Sequence, residues 1–271
     1  MSWLHLIILA IIQGLTEFLP VSSSAHLMLA PQLLGWPEDQ GPLIDVMAHF
    51  GSLFAVMLYF RKDVGDIITG FFDLLGRKLN KRSVLALNLI IATPPALVVG
   101  FALNAGGWDV MLRSPLIIAS TTIIFGVLLW VSDIKGREVE TTETLTWKGA
   151  GLLGLAQALA LIPGTSRSGI TMTAARFMNM TREEAARFSM LMSLPIIGAG
   201  GLFALLKLLS AETGGGASAL DGLVVAGLSF VAAYGCIAVF MRWVSRIGFF
   251  PFMVYRLILG AGLLFWVFSA G

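Results

Sequence analysis

Six unbroken apolar stretches dominate this chain, at roughly 43–60, 84–104, 114–133, 185–208, 220–241 and 251–269. A helix needs about 20 mostly apolar residues to cross a bilayer, with a range of about 17–25, so each stretch is long enough to span. Lys and Arg fall almost entirely between them. Of the 271 residues, 57% are hydrophobic and 13% are charged, against about 45–50% and about 25% in a soluble domain. That excess excludes a soluble enzyme, a disordered chain and a nucleic-acid binder. The net charge of +2 is too small to imply a polyanionic partner. One cysteine, Cys236, excludes intrachain disulfides and Cys-based zinc or iron–sulfur sites. No basic residue precedes the first apolar run, which makes a poor signal peptide, so the N-terminus is expected to be retained. His5 reads as interfacial.

Two further apolar regions, 3–34 and 147–178, are each broken in the middle. The first break is Leu19-Pro20-Val21-Ser22-Ser23-Ser24-Ala25-His26 and the second is Ile162-Pro163-Gly164-Thr165-Ser166-Arg167-Ser168-Gly169. Arms of about 12–16 residues are too short to span and suit a re-entrant hairpin. The breaks resemble each other: apolar, apolar, Pro, then small residues and serines, with Gln13 and Gln157 six or seven residues ahead of each proline. Each is followed by three spans. The expected fold is therefore an all-α integral membrane protein with an inverted-topology repeat. Each half, 1–135 and 145–271, is a re-entrant helix-loop-helix followed by three transmembrane helices, and the two form a single membrane domain. Three spans per half invert the second half, as in many transporters whose broken helices meet near the midplane.

Charge placement orients the chain. Segment 61–82 holds Arg61, Lys62, Arg77, Lys78, Lys81 and Arg82; the linker 135–148, the segment Thr181–Arg187 and the loop 242–250 also carry Lys or Arg. The positive-inside rule places all four in the cytoplasm. The other loops, with Glu38, Asp39, Asp109, Arg113 and Glu212, fall outside, as do both termini. The first hairpin then enters from the outer face and the second from the inner face.

Ionisable residues at membrane depth are functional candidates. Gln13 and Glu17 are four apart on one helix face. Oxygen side chains at that spacing can share a hard cation such as Mg²⁺ or Ca²⁺, or can simply cap and pack a helix end. Ser22, Ser23 and Ser24 stand where a new helix should start, as N-caps or beside an anion at the helix N-terminus. Gly164, Thr165, Ser166 and Ser168 repeat that device around Arg167, whose guanidinium matches phosphate oxygens. Arg167 instead pairs with Glu17 on the structural reading. His26 fits a general acid, base or nucleophile, or a satisfied structural group. Asp45 and His49 could reach the same cavity. Tyr255-Arg256 reads as structural or snorkelling.

The segments Gln13-Gly14-Leu15-Thr16-Glu17-Phe18-Leu19-Pro20-Val21-Ser22-Ser23 and Pro163-Gly164-Thr165-Ser166-Arg167-Ser168-Gly169 resemble the two signatures of the bacitracin-resistance type of undecaprenyl-diphosphate phosphatase. Gly51-Ser52-Leu53 and Phe250-Pro251-Phe252 with Tyr255-Arg256 also look like that family, and the resemblance covers essentially the whole chain. It implies hydrolysis of undecaprenyl diphosphate to undecaprenyl phosphate and inorganic phosphate. The reaction recycles the lipid carrier of peptidoglycan synthesis, confers bacitracin resistance, and faces the outer side of the bacterial inner membrane. It also implies a divalent cation and a homodimer. By position, Gln13 and Glu17 would hold the metal or activate water, His26 and Arg167 match an essential pair, and Ser22 and Ser23 match paired serines. Ser23 and His26 are both candidate nucleophiles. Gln13 stands where many members carry Glu, and Ser24-Ala25 where Thr-Gly is common. A polyprenyl-phosphate flippase or anion transporter is the competing class. It would need the Arg and helix ends but no base or nucleophile.

Overall fold

The computed structural model describes residues 3–27, 35–36, 41–107, 112, 114–210 and 219–269. The acidic loop residues Glu38, Asp39, Asp109 and Glu212, and Arg113, lie outside that set, as does 28–34, the second arm of the first broken region. The described helices are α1 (Trp3–Thr16), α2 (Gly41–Tyr59), α3 (Arg61–Leu75), α4 (Lys81–Ala92), α5 (Pro94–Ala105), α6 (Pro115–Lys135), α7 (Trp147–Ala158), α8 (Arg167–Phe177), α9 (Arg182–Ser210), α10 (Ala219–Ile247) and α11 (Phe250–Ser269).

Five helical stretches among the described residues are long and apolar enough to cross a membrane: Lys81–Ala105, Pro115–Lys135, Arg182–Leu202, Leu220–Ile247 and Phe250–Ser269. They coincide with five of the six expected spans. The sixth, 43–60, is α2, which turns by 87° into α3. The segment 61–82, expected as a loop, thus holds a full helix. Its hydrophobics Ile68, Phe71, Phe72 and Leu75 are exposed. The first span of the 81–105 pair breaks at Thr93-Pro94-Pro95, where two residues lack an N–H to continue the ladder. Thr93 Oγ1 donates instead to the Leu89 carbonyl at 2.7 Å. Asn80 starts α4 with a capping box, accepting from Arg82 N and Ser83 N while Ser83 reciprocates.

The helix neighbours follow the hydrophobic faces. α10 packs on α1 and α2, α11 on α6, α9 on α2, and α7 on α4 and α5. Small residues allow the closest approaches, as is usual where lipid supplies no hydrophobic drive between helices. A Cβ on Gly51 would sit 2.1 Å from the Ala226 carbonyl oxygen, so α2 and α10 touch backbone to backbone there.

The four basic segments assemble at one end of the bundle. Arg182 Nε donates to Asp133 at 2.7 Å, and its Nη1 reaches Glu138 at 3.2 Å. Arg187 pairs with both Asp63 and Glu184. Lys81 pairs with Glu143 at 2.6 Å, and Phe249 N donates to Asp133 at 3.0 Å. The fully buried Arg176 is held by carbonyls of Asp133, Gly136 and Met180. Charge complementarity thus draws together segments that the sequence put on one side of the membrane.

Arg256 takes the structural of its two expected roles. It does not snorkel: it is fully buried in α11. Its guanidinium donates to the carbonyls of Pro20 at 3.3 Å, Gly164 at 3.0 Å and Thr165 at 2.9 Å, and to Thr122 at 2.9 Å. One side chain therefore fastens both broken segments to α6. Replacing it by Met would strand the three tip carbonyls, at about 1–3 kcal/mol for each buried acceptor left unpaired. Arg256→Met is expected to lower stability by about 3–5 kcal/mol, read as an earlier thermal unfolding midpoint in detergent. An unchanged midpoint would refute the staple.

Candidate active site

The two breaks fold by the same local device. Ser22 and Ser166 both adopt a left-handed backbone, with φ of 75° and 70°, a strained state for a residue with a Cβ. Ser22 Oγ accepts from Ala25 N at 3.4 Å, and Ser166 Oγ accepts from Gly169 N at 3.2 Å. Each also contacts the serine two residues on: Ser24 at 3.3 Å and Ser168 at 3.2 Å. Each tip is therefore a sharp turn capped by its own serine. The residue after each left-handed serine is the one projected forward: Ser23 in the first tip and Arg167 in the second. Gly164 (φ 87°) makes the turn before the second tip, and a Cβ there would strike Thr121 Oγ1 at 2.2 Å.

The tips meet. Ser168 Oγ donates to the Leu19 carbonyl at 2.8 Å. Arg167 Nη2 donates to Glu17 Oε1 at 2.9 Å, and its Nη1 donates to the Ser189 carbonyl at 3.0 Å. The guanidinium lies over the buried Phe18 ring, 5.6 Å from its centroid. Glu17 Oε2 accepts from Ser23 Oγ at 2.7 Å and from Gln13 Nε2 at 3.0 Å. A nucleophile-type hydroxyl, a carboxylate and a guanidinium thus stand in one hydrogen-bonded row, although 150 residues separate Glu17 from Arg167. They open on a cavity of about 380 Å³, also lined by Ser24, Ser166, Asp45, His49 and Gln157.

Not every expected residue reaches that cavity. Ser22, Gly164, Thr165 and Ser168 are absent from its wall and shape and anchor the tips; Gln13 is absent from it too, fully buried behind Glu17. His26 is also off the wall. Its Nδ1 donates to the Ser22 carbonyl at 2.8 Å, which leaves Nε2 to accept from the Tyr255 hydroxyl at 2.5 Å. Both ring nitrogens are committed and neither meets Ser23, which gives its hydrogen bond to Glu17. His49 comes closer than its sequence signal suggested. Its Nδ1 donates to the Asp45 carbonyl at 2.7 Å, and Nε2 lies 3.9 Å from Glu17 Oε2. Tyr255 and Gln157 were not singled out as site residues. The only sequence signal for Gln157 was its place in the repeat, opposite Gln13.

No group of three His, Cys, Asp or Glu residues converges among the described residues. A divalent cation would rest on fewer protein ligands. The donor set fits that case once the Gln13 amide turns over: Nε2 faces Glu17 Oε2 at 3.0 Å, and Oε1 is buried with no hydrogen-bond partner among the described residues. Mg²⁺ commonly takes one or two such side-chain oxygens and completes its shell with phosphate oxygens and water.

The family model described as bacitracin resistance protein BacA matches residues 6–262. The chain belongs to the BacA family. Its relatives align from end to end. It is 54% identical over 265 residues to the undecaprenyl-diphosphatase of Maricaulis maris, covering 97% of this chain and 98% of that one. It is 48% identical to the undecaprenyl-diphosphatase of Hahella chejuensis, covering 100% of both, and 50% identical to that of Alteromonas mediterranea, covering 99% and 100%. In this BacA-family chain, Glu17, Ser23 and Arg167 come from the two signature segments that carried the resemblance, and the cavity lies where those segments touch.

Proposed function

We propose that this protein hydrolyses undecaprenyl diphosphate to undecaprenyl phosphate and inorganic phosphate, the activity by which its relatives are named. One observation carries the reading: the Ser23–Glu17–Arg167 row across the junction of the two tips. A flippase or anion carrier would use the guanidinium but gains nothing from a serine bonded to a carboxylate.

Phosphoryl transfer asks mainly for positioning and for charge stabilisation on the equatorial oxygens. Arg167 is fixed by Glu17 and Ser189 and lies over Phe18, so its remaining N–H groups offer a preset fork to the terminal phosphate. The N-terminus of α8, starting at Arg167, opens on the same cavity and favours negative charge. Ser23 Oγ attacks the terminal phosphorus while its proton passes to Glu17 Oε2. The bond from that phosphorus to the bridging oxygen breaks, and undecaprenyl phosphate departs. Water then cleaves the phosphoserine, releasing inorganic phosphate and regenerating Ser23. His49 Nε2, at 3.9 Å, is placed to relay the proton held by Glu17. Gln13 and Glu17 would hold a divalent cation, Mg²⁺ or Ca²⁺, which when bound offsets charge on the diphosphate. His26, tied to Tyr255, orients the first tip through the Ser22 carbonyl.

We read the fold as two inverted repeats, 1–135 and 145–271, forming one membrane domain. The paired left-handed serines and the matched contacts of α1 with α10 and α7 with α4 and α5 support it. The basic end is cytoplasmic under the positive-inside rule. The site then opens to the outer side of the inner membrane, where carrier recycling for peptidoglycan synthesis and bacitracin resistance both require it.

Purified protein should release phosphate from undecaprenyl diphosphate, and Ser23→Ala should abolish release. Acid quench during turnover of the parent protein should trap phosphate on Ser23, mapped by mass spectrometry. Turnover by Ser23→Ala at the parental rate would exclude the serine route and leave direct attack by water.

A further inference from the structure

The diphosphate cavity accounts for the head of the substrate and leaves its long apolar chain without a path. On the α5–α9 side the cavity wall includes Ala96, Ile196 and Ile197. The adjoining residues of the same two elements, Pro94 in α5 and Leu194 and Pro195 in α9, line a second cavity of about 440 Å³. Phe71 of α3 and Leu89 and Ile90 of α4 complete its apolar lining. Thr93 brings the one side-chain hydroxyl, and that is already spent on the Leu89 carbonyl at 2.7 Å. The chain itself keeps this seam open. Pro94 and Pro95 break the α4–α5 rod, and Pro195 interrupts the ladder of α9 opposite. Its residues in α5 and α9 directly precede those of the polar cavity, so it lies next to that cavity on the side of the basic end.

Resting on the function proposed above, we infer that this α4–α5–α9 groove receives the first isoprene units of the polyprenyl chain. A lipid whose head enters from the outer side must direct its tail inward, and this groove lies on the inward side of Arg167. Its lining is apolar, with no free polar group, as a methyl-branched hydrocarbon requires. Because surrounding lipid is equally apolar, the groove adds no hydrophobic drive. It holds the chain in one direction, so that the terminal phosphorus lies against Ser23. An error of about 1 Å in such placement can cost about 10²-fold in rate. A second apolar groove, lined by Leu15, Val231, Cys236 and Trp243 among others, lies along α1 and α10 and is the rival path.

Ile90 and Val231 are both exposed, at 46% and 66%, so substitution there spares the core. Ile90→Trp is expected to lower kcat/KM for undecaprenyl diphosphate by about 10²-fold. It should leave hydrolysis of dimethylallyl diphosphate, too short to fill the groove, within twofold. Val231→Trp should match the parent on both. A benzophenone amino acid at position 90 should crosslink radiolabelled undecaprenyl diphosphate, and one at position 231 should label only bulk phospholipid. Equal labelling at both positions, labelling at 231 alone, or full C55 turnover by Ile90→Trp would overturn the groove. Absence of phosphate release by the parent protein would instead sink the phosphatase reading, while selective crosslinking at position 90 would still locate the chain.

Discussion

Arg167→Lys is expected to lower turnover of undecaprenyl diphosphate by about 10²–10³-fold, the usual loss when one preset donor to a charged transition state is removed. The geometry explains why a retained positive charge does not suffice. Arg167 spends one N–H on the Ser189 carbonyl and one on Glu17, and its guanidinium lies over Phe18. Those contacts aim the rest of the fork into the cavity. An ammonium is a point charge with rotating donors and cannot hold both anchors and grip a phosphate in two places. Phosphate release under saturating substrate measures the loss, with thermal unfolding in detergent as the check on folding. A lysine variant within tenfold of the parent would mean that Arg167 only ties the halves together.

Glu17→Gln is expected to cost about 10³-fold, within the range for removing a positioned proton acceptor. The amide keeps the size of the side chain and can still meet Ser23 and Arg167 by hydrogen bonds. It can neither take the serine proton nor balance the guanidinium. The sharper measurement is the double variant. If Glu17 acts by deprotonating Ser23, Ser23→Ala combined with Glu17→Gln should lose no more than the worse single variant, because residues acting as one unit are not additive. Multiplying losses would assign Glu17 to the substrate or cation rather than to Ser23.

Much of this molecule was readable along the chain. Apolar runs marked the spans, and lysines and arginines marked the end where Arg182, Arg187 and Lys81 now pair with Asp133, Asp63 and Glu143. The repeated proline-and-serine breaks marked the two tips, but spacing from the prolines sets Ser23 against Ser166, and only the backbone pairs Ser22 with Ser166. These signals are local: a span needs only its own apolar residues, and a tip needs only its own proline and capping hydroxyl. Helix α3 escapes the sequence reading because a charged, amphipathic segment between spans reads the same as a loop until something packs against it; Gly70 meets the Arg82 carbonyl there.

Composition and spacing alone therefore determined that the chain crosses a membrane several times and carries two polar elbows among its spans. Which side chain serves which was decided by assembly. Ser23 turned to Glu17 rather than His26, Tyr255 took up His26 from 229 residues away, and Arg256 sank to fasten both tips. A buried donor or acceptor must find a partner within about 3 Å. In a chain whose helices bring distant residues together, that partner is set by packing and not by sequence distance.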